Sequence, residues 1–227
     1  MPQPLVLRKS NGSYEIPLFE EFKVRAFFTT REKSMSGSKL VLPVQVHGDR
    51  VFCADARALQ AAPKAQGRQP EADALITSCR ELPLAIRTAD CLPVFLFDTG
   101  NRAIAMIHAG WKGMHKTIIS KTIKQMRQKF STEPGDLIAV LGPAIRQCCY
   151  EVGEEFKGFF NGFVSSRDNR LYFDIASAAV SEFLKAGVDD GHIYDSAICT
   201  SCRNDEFFSF RREGQSAGRS FSVMEIL

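Results

Sequence analysis

The chain has 227 residues, 44% hydrophobic and 24% charged, which is enough to bury a sizeable core and is ordinary for a globular protein. Its net charge of +3 and scattered basic residues argue against a charge-driven nucleic-acid binder. No apolar run approaches the roughly 18 residues that span a bilayer, and Met1-Pro2-Gln3-Pro4 lacks the basic and apolar regions of a signal peptide. The expectation is a cytoplasmic protein without membrane or nucleic-acid partners. Seven cysteines, an odd count without a secretion signal, favour reduced thiols over a disulfide framework.

In chain order, Leu5-Val6-Leu7 reads as a first strand, Asn11-Gly12-Ser13 as a turn and residues 24–29 as a second strand. Residues 34–38 are small and polar and read as a mobile loop. Residues 41–46 are β-branched and apolar, a strand expected to deliver His47, and 51–54 follow as another. Residues 60–72, with two prolines and a glycine, read as a surface loop. Four short strands come next, at 74–77, 82–87, 94–97 and 103–107, with Asp98-Thr99-Gly100-Asn101 a tight turn between the last two. The period then changes: Met114, Ile118, Ile119, Ile123, Met126 and Phe130 recur at helical spacing. Residues 137–141 form a buried strand, and 154–163 a helix with an aromatic face. A helix over 175–186 is capped by Asp174 and ended by Gly187. Residues 207–211 and 221–226 supply the last strands. Many strands with interspersed helices imply α/β or α+β layers.

His47 and His108 each precede a glycine-containing turn at a strand end, and Cys91 sits at another strand boundary. Such ends are where sites are built. His, Cys and His suit zinc, and three protein ligands leave a fourth position open. The same atoms also suit a thiolate nucleophile, Cys91, with His108 or His47 as base. Asp90 could orient a ligand, move a proton or cap a turn. Cys199-Thr200-Ser201-Cys202 has metal or redox spacing but no second such pair, so it reads as structural, as does Cys148-Cys149. Cys53 and Cys79 are expected to be buried. Arg211, Arg212 and Arg219 could bind an anion through their planar forks or line a solvated turn.

Several stretches, taken together, resemble the bacterial laccase-domain family, whose members are variously called polyphenol oxidase, purine nucleoside phosphorylase and peptidoglycan editing factor. They are Phe28-Thr29-Thr30-Arg31, Gln45-Val46-His47-Gly48, Ala72-Asp73-Ala74-Leu75-Ile76-Thr77, Thr88-Ala89-Asp90-Cys91-Leu92-Pro93 and Ile107-His108-Ala109-Gly110-Trp111-Lys112-Gly113. Gly142-Pro143-Ala144-Ile145, Cys149-Tyr150-Glu151-Val152-Gly153, Phe208-Ser209-Phe210-Arg211-Arg212 and Gly218-Arg219 follow in the family's order. The segment between Arg31 and Val41 is shorter than the family's, and Ala217 replaces a more usual threonine.

The resemblance implies a single laccase-like domain over 1–227, a layered sandwich of mixed β-sheets flanked by helices and related to cysteine hydrolases. It implies that His47, Cys91 and His108 hold a metal, usually zinc, with copper as another ion such a site accepts. The implied activity is phosphorolysis of adenosine, inosine and methylthioadenosine, with adenosine deamination as a side activity. Purine nucleoside and phosphate are then the partners, and Arg31, Arg211, Arg212 and Arg219 are the candidate phosphate clamp. Two alternatives stand beside it. A hydrolase editing peptidoglycan precursors would use Cys91 as nucleophile without a metal. A copper-dependent polyphenol oxidase of the multicopper kind would need many histidines, usually in His-x-His pairs, whereas this chain has four and no such pair. A purely structural zinc would normally close with four ligands.

Overall fold

The computed structural model describes residues 2–35, 38–55 and 69–227. Its strands are β1 (Gln3–Pro4), β2 (Arg8–Ser10), β3 (Ser13–Glu15), β4 (Val24–Thr29), β5 (Val51–Cys53), β6 (Ala74–Thr77), β7 (Leu84–Thr88), β8 (Leu92–Asp98) and β9 (Ala103–Ala109). Two helices, α1 (Trp111–His115) and α2 (Ile118–Phe130), precede β10 (Leu137–Leu141) and β11 (Glu151–Val152). Then come α3 (Glu155–Phe159), β12 (Val164–Arg167), β13 (Arg170–Phe173), α4 (Ile175–Lys185), β14 (Ile193–Asp195), α5 (Phe210–Glu213) and β15 (Ser220–Ile226).

A seven-stranded sheet runs in the order β1-β14-β10-β8-β9-β6-β5. It is mixed, because β1, β14 and β10 pair in parallel, as do β5 and β6, while β10, β8, β9 and β6 pair antiparallel. A five-stranded antiparallel sheet, β2-β3-β4-β15-β7, packs on one face. The third sheet is small and antiparallel, in the order β11-β13-β12.

The residues of β8 and β9 are buried along their whole length, so these strands read as unbroken apolar runs rather than alternating ones. Alternation survives in which layer each side chain meets. Val94 and Leu96 pack with Ile118, Ile119 and Ile123 of α2 and Phe183 of α4. Phe95 and Phe97 point the other way, toward Phe28, Leu84 and Met224 of the antiparallel sheet. The result is three layers, helices over mixed sheet over antiparallel sheet. The tight turn between β8 and β9 is held by Asp98, whose Oδ1 accepts the N–H groups of Gly100 and Asn101 at 2.9 Å each.

Asp174 caps α4 by accepting from the Ser177 N–H at 2.9 Å, and Gly187 follows the helix at φ +92. The helical pattern begun at Met114 is broken into α1 and α2 at Thr117, whose φ of 57 is left-handed. The aromatic helix shrinks to α3, with Phe156 and Phe160 buried and Phe159 stacked on Trp111 at 6.0 Å.

Three expected strands are absent. Leu5-Val6-Leu7 links β1 and β2 outside any strand, with the Leu5 N–H donating to the Asp195 carbonyl at 3.3 Å, and Val6 is 78% exposed. Residues 41–46 make only isolated bridges, Val41 to Leu84 and Val44 to Glu71. Pro43 has no N–H for a ladder, so although Val41 and Pro43 are buried and Val44 and Val46 face outward, the run pairs only at these bridges. Residues 207–211 turn into α5 instead, because the Ser209 hydroxyl caps it by accepting from the Arg212 N–H. Cys53 and Cys79 are half-buried rather than buried. Part of the expected loop at 34–38 and most of that at 60–72 lie outside the described residues.

The layering predicts a specific cost. Phe97→Ala, which removes a fully buried ring packed on Phe19 and Phe22, should destabilise by about 3–5 kcal/mol. Leu184→Ala on the exposed side of α4 should change stability by less than about 0.5 kcal/mol. Urea unfolding of the two variants checks this, and equal losses would contradict the layering.

Candidate active site

The β8–β9 hairpin brings the first two site residues together. Its register pairs Pro93 with His108 and Leu92 with Ala109, so Cys91 stands beside Gly110 at the open end. Glycine fits closely there, since a Cβ on Gly110 would lie 3.0 Å from the Cys91 sulfur and 3.5 Å from the His47 ring. Gly113 serves the same close packing one turn later, where a Cβ would meet the Gly48 carbonyl at 2.8 Å.

His47 arrives from the segment that pairs only through isolated bridges, and two side chains replace the missing ladder. The Gln45 carboxamide accepts the Arg87 N–H at 2.9 Å and donates to the Arg87 carbonyl at 2.8 Å, imitating a backbone pair with β7. Asp73, fully buried before β6, accepts from the N–H groups of Val46 (3.3 Å), His47 (3.0 Å) and Gly48 (2.7 Å). These bonds hold His47 at a left-handed φ of 57. Asp73 also bonds His108 Nδ1 at 2.7 Å. That bond leaves Nε2 as the ring nitrogen free to act.

His47, Cys91 and His108 each offer a ligand atom, and these atoms lie within 4.8 Å of one another. His47 is exposed, Cys91 half-buried and His108 buried, so the group is open on one side. Burial alone would raise the Cys91 thiol, but the charge of His108 and hydrogen bonds from both histidines pull it down to about 6. Burial would lower His108, but the Cys91 thiolate and Asp73 raise it to about 9. Burial likewise opposes the Asp73 charge, while His108 and the Gly48 and Val46 N–H groups hold that carboxyl below its usual range. Two imidazoles and a ready thiolate fit zinc, which binds such atoms at about 2.0–2.3 Å. They would also serve a thiolate nucleophile.

Asp90 turns away from this group. At φ 85 its carboxylate accepts from Thr200 Oγ1 (2.7 Å), Ser209 Oγ (3.0 Å) and the Arg211 N–H (2.7 Å). It thereby ties the Cys91 loop to the start of α5. The arginines differ in how far they are already engaged. Arg212 donates to the carbonyls of Thr200, Ser201 and Phe207 and pairs with Glu213, which makes it a strap across the loop. Arg31 pairs with Glu213 at 2.7 Å and lies over the Phe208 ring. Among the described residues, Arg211 bonds through Nη1 alone, to the Glu151 carbonyl, with its guanidinium over the Tyr150 ring. Arg219 bonds through Nη1 to the carbonyls of Ala217 and Gly218.

Three participants carry no assigned role in the sequence reading. Gln45 and Asp73 lie within recognised motifs, and a carboxylate directly before the Ala-Leu-Ile run of a buried strand is the local signal for Asp73. Tyr150 is the third. Burial pushes its phenol up, the Cys91 thiolate adds to this and Arg211, 5.6 Å from its ring, opposes it. His115 packs against Phe159 and Phe160, apart from the metal-capable groups. A cavity of about 880 Å³, lined by Phe27, Met35, Leu40 and Val223, contains none of the expected site residues. Cys148, Cys149, Cys199 and Cys202, expected as separate structural thiols, are gathered into one group.

A family model described as "Multi-copper polyphenol oxidoreductase laccase" matches residues 23–227. A protein of Bacteroides thetaiotaomicron named purine nucleoside phosphorylase is 37% identical over 219 residues, 91% of this chain and 81% of its own. A protein of an unknown prokaryotic organism named adenosine deaminase RL5 is 33% identical, covering 81% of this chain and 73% of its own. The crystal structure of Bacillus licheniformis hypothetical protein YfiH superposes with a TM-score of 0.87, covering 97% of this chain and 99% of that one at 23% identity, and so shares the fold.

The bracing by Asp73 predicts that Asp73→Asn weakens zinc binding at the His47–Cys91–His108 group by about 10–100-fold. Competition against a chromophoric chelator measures this, and unchanged affinity would show that the brace does not set the site.

Proposed function

The chain belongs to the laccase-like family of multi-copper polyphenol oxidoreductases, and on that premise we propose that it is a zinc-dependent purine nucleoside phosphorylase. Its substrates are adenosine, inosine and methylthioadenosine, with adenosine deamination as a side activity. One observation carries the reading: the open His47–Cys91–His108 group is tied to the loop that presents Arg211, whose N–H donates at 2.7 Å to the carboxylate of Asp90 next to Cys91. The names of the relatives, purine nucleoside phosphorylase and adenosine deaminase, support the substrate class.

In phosphorolysis a phosphate oxygen attacks C1′ of the ribose, the N-glycosidic bond breaks and the purine leaves with its electron pair. The phosphate must be held against that carbon, and charge on the departing base must be stabilised. His47, Cys91 and His108 would hold a zinc ion, which would supply Lewis acidity there. Arg211 and Arg219 have N–H groups left to grip phosphate, and Arg31 can turn from Glu213. Arg212 keeps the loop in place rather than meeting substrate. The raised Tyr150 phenol keeps its proton at neutral pH and can donate a hydrogen bond. Deamination replaces phosphate with water, which adds at C6 of adenine before ammonia leaves.

A second reading has its own support. Cys91, drawn down to about 6 beside an imidazolium, is also the arrangement of a cysteine hydrolase acting on cell-wall precursors. Multicopper oxidase chemistry finds less support, since the described residues gather one His₂Cys group rather than several histidine clusters. Copper still binds such ligands well.

Metal-quantified protein incubated with inosine or adenosine should release ribose 1-phosphate only when phosphate is added. Product should disappear in His47→Ala, Cys91→Ala and His108→Ala. Arg211→Ala should lower kcat/KM for phosphate about 100-fold. Turnover that needs no phosphate and survives a chelator while Cys91→Ala abolishes it would favour the hydrolase instead.

A further inference from the structure

Four cysteines outside the site converge for a reason of topology. Cys148 and Cys149 lie in the turn after β10, and Cys199 and Cys202 in the loop after β14. These strands are parallel neighbours, with Leu141 opposite Asp195, so both loops leave the same end of the sheet side by side. They then stay together. Ala144 bridges Cys199, its N–H donates to the Ile198 carbonyl at 3.2 Å, and the Thr200 N–H donates back to Ala144 at 3.0 Å. Arg146 reaches across to the Ile198 carbonyl at 3.2 Å and pairs with Asp195 at 2.7 Å.

All four sulfurs lie within 4.8 Å of one another, with Cys202 at 3.7 Å from Cys148 and 3.4 Å from Cys149. All four are free thiols. Thiolates about 2.3 Å from a single tetrahedral zinc stand about 3.8 Å apart. An iron–sulfur cluster distributes its cysteines over two or more metals and needs a wider cage. We propose that Cys148, Cys149, Cys199 and Cys202 form a second metal site that holds one zinc ion through four thiolates.

Its surroundings suit that charge. The Arg167 guanidinium donates to the Cys148 carbonyl at 3.0 Å, which brings a positive charge to the edge of the group. Four protein ligands close the ion's coordination, so the site is structural where the His47–Cys91–His108 group is open. What it staples is specific. One loop supplies Thr200 to Asp90 and the Thr200 and Ser201 carbonyls to Arg212. The other supplies Tyr150 and the Glu151 carbonyl that hold Arg211. The ion thus fixes the frame behind the arginine loop, and this assignment does not depend on the nucleoside reading.

The test removes the first site and counts metal at the second. Cys91→Ala protein, purified anaerobically with added zinc, should retain one equivalent per chain through gel filtration, by mass-spectrometric metal analysis. Cobalt substitution of that protein should give the intense near-ultraviolet thiolate bands and red d–d bands of a tetrathiolate ion. Adding Cys199→Ser and Cys202→Ser should abolish both. If that variant fails to fold, the cobalt spectrum of the Cys91→Ala protein decides alone. Metal-free Cys91→Ala protein, a cobalt spectrum without thiolate bands, or disulfides among the four cysteines in reduced preparations would overturn the proposal.

Discussion

A buried carboxylate is costly unless its oxygens are satisfied, and the site depends on how Asp73 meets that demand. Three consecutive N–H groups, from Val46, His47 and Gly48, and the His108 ring converge on it. A single residue therefore fixes a histidine backbone on one side and a histidine tautomer on the other. The His47 segment has little else to hold it, since Pro43 interrupts any ladder and only isolated bridges remain. The Gln45 carboxamide closes the gap to β7. Cys91 needs no such help, because the β8–β9 register delivers it.

The sandwich around this point was largely readable from residue pattern. Unbroken apolar runs marked β8 and β9, the 3.6-residue period marked α2, and Asp174 with Gly187 bounded α4. The misreadings share a cause: local composition was right but the partner was missing. Residues 41–46 look like a strand, with Val41 and Pro43 buried, yet Pro43 cannot join a ladder, and Phe207 and Ser209 are buried in a loop that turns helical. His47, Cys91 and His108 were legible through ordered motifs, whereas spacing alone could not join residues so far apart. Asp73 was hidden because its importance lies in bonds to other segments. The cysteine group was hidden for a similar reason: nothing local records that β10 and β14 are parallel neighbours.

Two thiolate-bearing groups of different character result. One has two histidines, one cysteine and an exposed side; the other has four cysteines. Between them runs the network of Asp90, Thr200, Arg211 and Arg212, which ties the Cys91 loop to the loops carrying the second group. Openness suits chemistry and closure suits support. The division explains why Arg212 is fully occupied with backbone carbonyls while Arg211 keeps N–H groups to spare.

The central proposal is a metal-binding centre formed by His47, Cys91 and His108 and open on one side. Anomalous diffraction at the zinc edge, from crystals of zinc-loaded protein, tests this most directly. The account predicts a peak bounded by His47 Nε2, Cys91 Sγ and His108 Nε2, with no fourth protein ligand. The absence of a peak between these atoms, or a fourth side chain closing the ion, would contradict it.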